Sequence, residues 1–170
     1  MVQSVAVAAD PLRFGYWPAM LPDTRPRHAL LLGLGGGTIA GLLVRRFGPL
    51  PITAVEKNPL VVELARQEFE LPTRDFTLVV GDAFDFVFEA EGPFDYVAVD
   101  LFENGGIPGK IFSHPFLRRL KTISTASGLV AINFFKDRRA SNHLRRLEQV
   151  FSRVQTLTSG KNLIALCRSH

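Results

Sequence analysis

Short apolar runs alternate with amphipathic stretches along this chain. That rhythm marks repeated βα units, and hence a mostly parallel sheet covered on both faces. The first strand is predicted over residues 28–32, followed by a helix from about 37 to 47 with Ile39, Leu42 and Leu43 on one face. A second strand at 52–56 leads into a helix where Asn58 can cap the free amides and Pro59 takes the first helical position. Leu60, Leu64 and Val61 are the expected apolar stripe of that helix, and Leu71-Pro72 ends it. Strands three and four are predicted at 76–80 and 96–99, running into Gly81-Asp82 and Asp100. A glycine-rich loop at 104–109 precedes a helix over about 113–123, then a strand at 129–133 and a basic helix over about 140–151. Segments 154–158 and 163–167, joined by a turn at 159–162, read as an antiparallel hairpin. The predicted architecture is therefore α/β, with a Rossmann-like sheet that is mostly parallel and closes on an antiparallel hairpin. Without internal repeat or linker, residues 1–170 are expected to form a single domain, with 1–27 as an N-terminal extension or lid.

Composition changes this picture little. The chain is 46% apolar and 21% charged, ordinary for a globular protein of 170 residues. No apolar run approaches the roughly 20 residues of a membrane-spanning helix, and the apolar stretch Val5 to Ala9 lacks the basic flank of a signal peptide. A single cysteine, Cys167, permits no internal disulfide, so the cytoplasm is the default compartment. Charge is more informative. Residues 56–103 hold 12 acidic and 3 basic side chains, whereas residues 104–170 hold 12 basic and 2 acidic ones. Two solvated faces would explain this; so would an acidic site that attracts a cationic ligand. Lys136, Arg138, Arg139, Arg145 and Arg146 could meet RNA phosphates, but no stacking aromatics interleave with them, and a solvated helix face is the favoured reading. The four histidines show no metal-ligand spacing, so no metal is expected.

The chemically distinctive residues fall at the carboxyl ends of the strands, where α/β sheets bind ligands near the reversal of strand order. Gly33-Leu34-Gly35-Gly36-Gly37 follows strand one and opens a helix. Absent Cβ atoms let the backbone turn sharply and admit a ligand against the main chain. A tight packing turn would use the same glycines, but the acid at the end of strand two favours a nucleoside. That acid is Glu56, 19 positions beyond Gly37, a distance that suits a bidentate hydrogen bond to ribose hydroxyls. Asp82 can accept from an exocyclic amine or cap the short helix at 83–88. Asp100 points toward the same crevice, and Glu103 either adds a second carboxylate or sits in solvent. Residues 35–40 also fit G-x-G-x-x-A, the dinucleotide fingerprint. Acids after strands two, three and four nevertheless suit a mononucleoside sulfonium better, and a dehydrogenase would usually require a separate catalytic region.

Four segments carry a family resemblance: Leu31-Leu32-Gly33-Leu34-Gly35-Gly36-Gly37-Thr38, Ala54-Val55-Glu56, Gly81-Asp82-Ala83 and Phe94-Asp95-Tyr96-Val97-Ala98-Val99-Asp100. In this order and spacing the chain, from about Tyr16 onward, resembles the S-adenosylmethionine-dependent methyltransferase superfamily, in its spermidine-synthase-like branch. The resemblance implies a class I methyltransferase fold and S-adenosylmethionine, or its decarboxylated form, as co-substrate. It puts the amino-acid or aminopropyl arm on Gly33, Leu34, Gly35 and Gly37, the ribose on Glu56 beside Lys57, and the adenine on Asp82 with the Ala83 amide. Spermidine synthases carry a D-[ST]-[ST]-D loop after strand four. Here Asp100-Leu101-Phe102-Glu103 keeps both acids and replaces the hydroxyl residues with apolar ones. Their G-G-G-D-G-G loop becomes a shorter one without the acid that meets the charged end of decarboxylated S-adenosylmethionine. Their N-terminal β-domain is expected to be missing. Tyr16 matches a substrate-side tyrosine, with Trp17-Pro18 in place of the usual His-Glu.

The expected reaction is methyl transfer to a small, cationic acceptor. Aminopropyl transfer to a polyamine is the second reading, and a non-catalytic nucleoside-binding or oligomerising module the third. Asp100 is expected to face the acceptor and the sulfonium, with Glu103 as second acid or base; burial and mutual repulsion should raise one of their pKa values toward neutrality. Residues 105–109 read as a mobile lid. Phe14, Tyr16 and Trp17 either cover the nucleoside or belong to the core or a subunit interface, which leaves a homodimer open.

Overall fold

The computed structural model describes residues 15–68, 71–103 and 105–169; of the expected nucleoside cover, Phe14 lies outside them. Seven strands form one sheet in the order β3-β2-β1-β4-β5-β7-β6. β1 (Ala29–Leu32), β2 (Ile52–Glu56), β3 (Phe76–Val80), β4 (Phe94–Val99) and β5 (Ser124–Phe135) run parallel. β7 (Asn162–Arg168) lies antiparallel between β5 and β6 (Arg153–Ser159). The mostly parallel sheet with a closing antiparallel hairpin is therefore present. Each residue of β1 is buried, because the strand is central and both its faces are covered.

On one face, α1 (Trp17–Met20) and α2 (Thr38–Phe47) pack on β1 and β2, with Met20, Leu42 and Leu43 almost without solvent contact. On the other, α4 (Ala83–Glu89), α5 (His114–Ile123) and α6 (Ala140–Glu148) cover β4 and β5 through Val87, Leu120 and Leu147. The Tyr96 hydroxyl donates to the Met20 carbonyl at 2.9 Å, tying α1 to the centre of the sheet. A 3-10 turn at Gly109–Phe112 leads into α5 and buries Ile111 and Phe112.

One predicted stripe is wrong. In α3 (Pro59–Glu68), Asn58 does cap, its Oδ1 accepting from the Leu60 amide at 3.0 Å. Yet Leu60 and Leu64 are 66% and 54% exposed, and the buried residues are Val62 and Ala65. The run Leu60-Val61-Val62-Glu63-Leu64-Ala65 supports two helical faces, and the smaller residues let the helix lie closer to the sheet. Val62→Ala should cost about 1–2 kcal/mol, whereas Leu64→Ala should stay within about 0.5 kcal/mol of the parent. Denaturant unfolding checks this, and the reverse order would return the stripe to Leu60 and Leu64.

Candidate functional site

After β1 the chain builds β2 and β3 on one side, then returns to place β4 on the other. Strand order thus reverses between β1 and β4, and a crevice opens beyond their carboxyl ends. It holds a cavity of about 440 Å³. Gly33 lines it with φ near 91°, and a Cβ there would lie 2.4 Å from the Asp100 carbonyl oxygen. Only glycine permits that approach. The Gly33 amide donates to Val55 and the Asp100 amide to Leu32, each at 2.9 Å, so the three strand ends are locked in register.

Of the predicted site residues, Tyr16, Gly33, Leu34, Gly35, Glu56, Lys57, Asp82, Ala83, Asp100 and Glu103 all line this cavity. Gly37 does not. It caps α2 with φ near 76°, and a Cβ on it would meet the Leu71 side chain.

Glu56 braces the glycine loop. Its Oε2 accepts from the amides of Leu34 and Gly35 at 3.2 and 3.4 Å, and its Oε1 from the Asn58 amide at 3.0 Å. Asp82 caps α4, its Oδ1 accepting from the Phe84 amide at 2.8 Å, and it also lines the cavity. Its Oδ2 meets the Lys57 ammonium at 3.1 Å, and the same ammonium reaches Glu103 Oε1 at 3.1 Å. Desolvation pushes the Asp82 carboxyl upward, but the Phe84 amide and Lys57 outweigh it and hold the group below the usual carboxylate range. Lys57 is held above its ordinary value by Asp82 and Glu103.

Asp100 sits differently. Its carboxylate accepts from the Tyr16 hydroxyl at 3.0 and 2.9 Å and from Asn133 Nδ2 at 2.8 Å, and both donors are neutral. Desolvation raises its pKa, and the hydrogen bonds from Asn133 and Tyr16 limit that rise. The expected repulsion from Glu103 is not the cause, since Glu103 pairs with Lys57. Burial and the Asp100 charge keep the Tyr16 phenol protonated well above its ordinary range. The loop predicted as a lid carries a tight turn, in which Glu103 and Gly106 exchange backbone hydrogen bonds at 2.8 and 2.9 Å.

The lining residues that escaped prediction include Asn133 on β5 and Asn162 at the start of β7. The signal for Asn133 was a lone polar residue within the apolar run 129–135. Asn162 sits in a polar turn and offered none. Among the described residues the cavity wall carries four carboxylates and one ammonium, a balance suited to a cationic ligand.

Residues 18–159 match the family model of the spermine/spermidine synthase domain. This chain belongs to that family. Within it, the polyamine aminopropyltransferase of Chromobacterium violaceum is 31% identical over 135 residues, covering 78% of this chain and 52% of that protein. The N-terminal histidine N-methyltransferase of Emericella nidulans is 33% identical over 115 residues, 65% of this chain and 20% of that protein. The crystal structure of human methyltransferase-like protein 13 in complex with SAH superposes with a TM-score of 0.76 at 27% identity, covering 85% of this chain and 72% of the other. The spermine/spermidine synthase domain is thus built here on a Rossmann-like methyltransferase sheet. The chain spans about half the length of the aminopropyltransferases it matches. Among the described residues, no helix is long and apolar enough to cross a membrane.

A raised carboxyl pKa favours the neutral form in the folded protein. The stability this confers is complete below the usual carboxylate range and is lost as pH rises through the Asp100 titration. Asp100→Asn should therefore raise the Tm relative to the parent more at pH 8 than at pH 5. A larger gain at pH 5, measured by calorimetry, would contradict the assignment.

Proposed function

We propose that this chain is an S-adenosylmethionine-dependent transferase domain that moves a methyl group onto a small, cationic acceptor. The observation that carries the reading is where the carboxylates stand. Glu56, Asp82, Asp100 and Glu103 line the cavity beyond β2, β3 and β4, while the glycine-loop wall offers Leu34 and no acid. A nucleoside sulfonium suits that distribution: a ribose acceptor on Glu56, an adenine acceptor on Asp82, and an anion for the sulfonium on Asp100. A bare aminopropyl ammonium would find no carboxylate on the loop that faces it.

S-adenosylmethionine supplies a carbon already activated toward displacement, so the chain's own work is orientation and proton handling. Glu56 holds the ribose, and Asp82 with the first turn of α4 reads the adenine. Tyr16 and Asn133 fix the Asp100 carboxylate, which attracts the cationic acceptor and takes the proton released when an amine reacts. The segment carrying Tyr16 and Trp17 closes over this half of the site as a lid within a single domain. Aminopropyl transfer is the second reading. What supports it is the pair of acids Asp100 and Glu103 at the cavity, together with the names of the polyamine aminopropyltransferases among the relatives.

The test is binding and turnover of S-adenosylmethionine against its decarboxylated form, with candidate amines as acceptors and mass-spectrometric detection of product. Methylated product from S-adenosylmethionine is expected. Tighter binding of the decarboxylated form with aminopropyl product would reverse the order of the two readings, and no binding of either, or of their thioether products, would remove the ligand assignment. Glu56→Ala should weaken thioether binding roughly ten- to hundredfold. Asp100→Asn should keep that binding and lower turnover by about 10²–10⁴.

A further inference from the structure

Asn133 is a polar side chain only 4% exposed in a strand of apolar residues, so both ends of its amide require partners. Its Nδ2 donates to Asp100 Oδ1 at 2.8 Å, and its Oδ1 accepts from Asn162 Nδ2 at 2.8 Å. The chain of bonds has one direction. An ionised Asp100 only accepts, so Asn133 must present its NH₂ there and its carbonyl to Asn162, which must donate. Turned over, Asn133 would set its carbonyl against the carboxylate and its NH₂ against that of Asn162.

Asn162 opens β7 beside the hairpin turn. The other end of that turn, Ser159, donates through Oγ to the Gly15 carbonyl at 3.3 Å. Gly15 immediately precedes Tyr16, whose hydroxyl is the second donor to Asp100. Both donors of Asp100 thus lead back to one hairpin tip.

We infer that Asn162 is a positioning residue of the site: it fixes Asn133 as a hydrogen-bond donor and through it holds the Asp100 carboxylate oriented on the cavity. The inference rests on the reading of Asp100 as the acid that faces acceptor and sulfonium. Because the relay uses amides and a phenol instead of a cation, the Asp100 charge stays available to a cationic ligand. The titratable neighbours of Asp100 are Tyr16 ahead of α1 and Tyr96 on β4. The cavity's remaining charged groups, Glu56, Lys57, Asp82 and Glu103, engage other partners.

The experiment is a ¹³C-carboxyl NMR titration of Asp100 in the full chain, in the parent, Asn162→Ala, Asn162→Asp and Asn162→Ser. Calorimetric binding of S-adenosylhomocysteine is measured alongside. Asn162→Asp makes residue 162 an acceptor, which turns the Asn133 amide over and shifts the Asp100 titration to higher pH. Asn162→Ala removes the donor without adding charge and shifts it in the same direction by less. Asn162→Ser, with a hydroxyl that can donate, restores part of the parent value. S-adenosylhomocysteine binding by the parent reports on the ligand reading separately from the titration, which reports on the relay. A shift confined to Asn162→Asp would mark through-space charge and overturn the relay, as would an unchanged titration in every variant. If the titration moves as expected while the parent binds no S-adenosylhomocysteine, the relay stands and the ligand reading fails.

Discussion

The site depends on one close approach, that of the Gly33 backbone to the Asp100 carbonyl. A single added methyl at Gly33 would stand 2.4 Å from that oxygen, so the ends of β1 and β4 meet only because position 33 has no side chain. β1 is buried on both faces and pairs with β2 on one side and β4 on the other, which brings Glu56 and Asp100 to opposite flanks of the same glycine. The carboxylate at the end of β2 then secures the turn by accepting from Leu34 and Gly35. The glycine loop, Glu56 and Asp100 are thus brought together by a single packing constraint.

Two kinds of carboxylate result. Asp82 and Glu103 share Lys57 at the solvent side, where screening keeps such pairs weak. Among the described residues Asp100 meets no cation; it is held by Tyr16 and Asn133, inside a region that raises the cost of its charge. Ionised carboxylates in that situation gain most from an incoming cation, because the ligand supplies the missing counter-charge. Such an arrangement gives up folding stability, a cost that a bound cation would offset.

The sheet was legible in the sequence because strands buried on both faces read as uninterrupted apolar runs; β2 and β3 fall on their predicted residues. The acids at the strand ends were legible for a related reason, since a charge directly after a buried run has only the crevice or solvent to face. Periodicity failed in α3, where five apolar residues among six allowed two faces and packing distance chose Val62 and Ala65. It also missed the first part of β5, Ser124 to Gly128, whose small polar residues pair at an exposed sheet end. Gly37 reads in the sequence like Gly33 and Gly35, yet it caps α2 with a positive φ and packs near Leu71, which is distant in sequence, and does not line the cavity. The Asn162–Asn133 link joins two residues 29 positions apart, and no local pattern encodes a side-chain pair of that kind.

In the proposed function, Asp100 supplies the negative charge that recognises the sulfonium. S-adenosylmethionine and S-adenosylhomocysteine differ by one methyl group and one positive charge, so the ratio of their affinities isolates that recognition. Measured calorimetrically as pH rises through the Asp100 titration, which burial places above the usual carboxylate range, the ratio should turn in favour of S-adenosylmethionine, and this pH dependence should vanish in Asp100→Asn. A ratio that is flat with pH in the parent, or that keeps its slope in Asp100→Asn, would contradict the account.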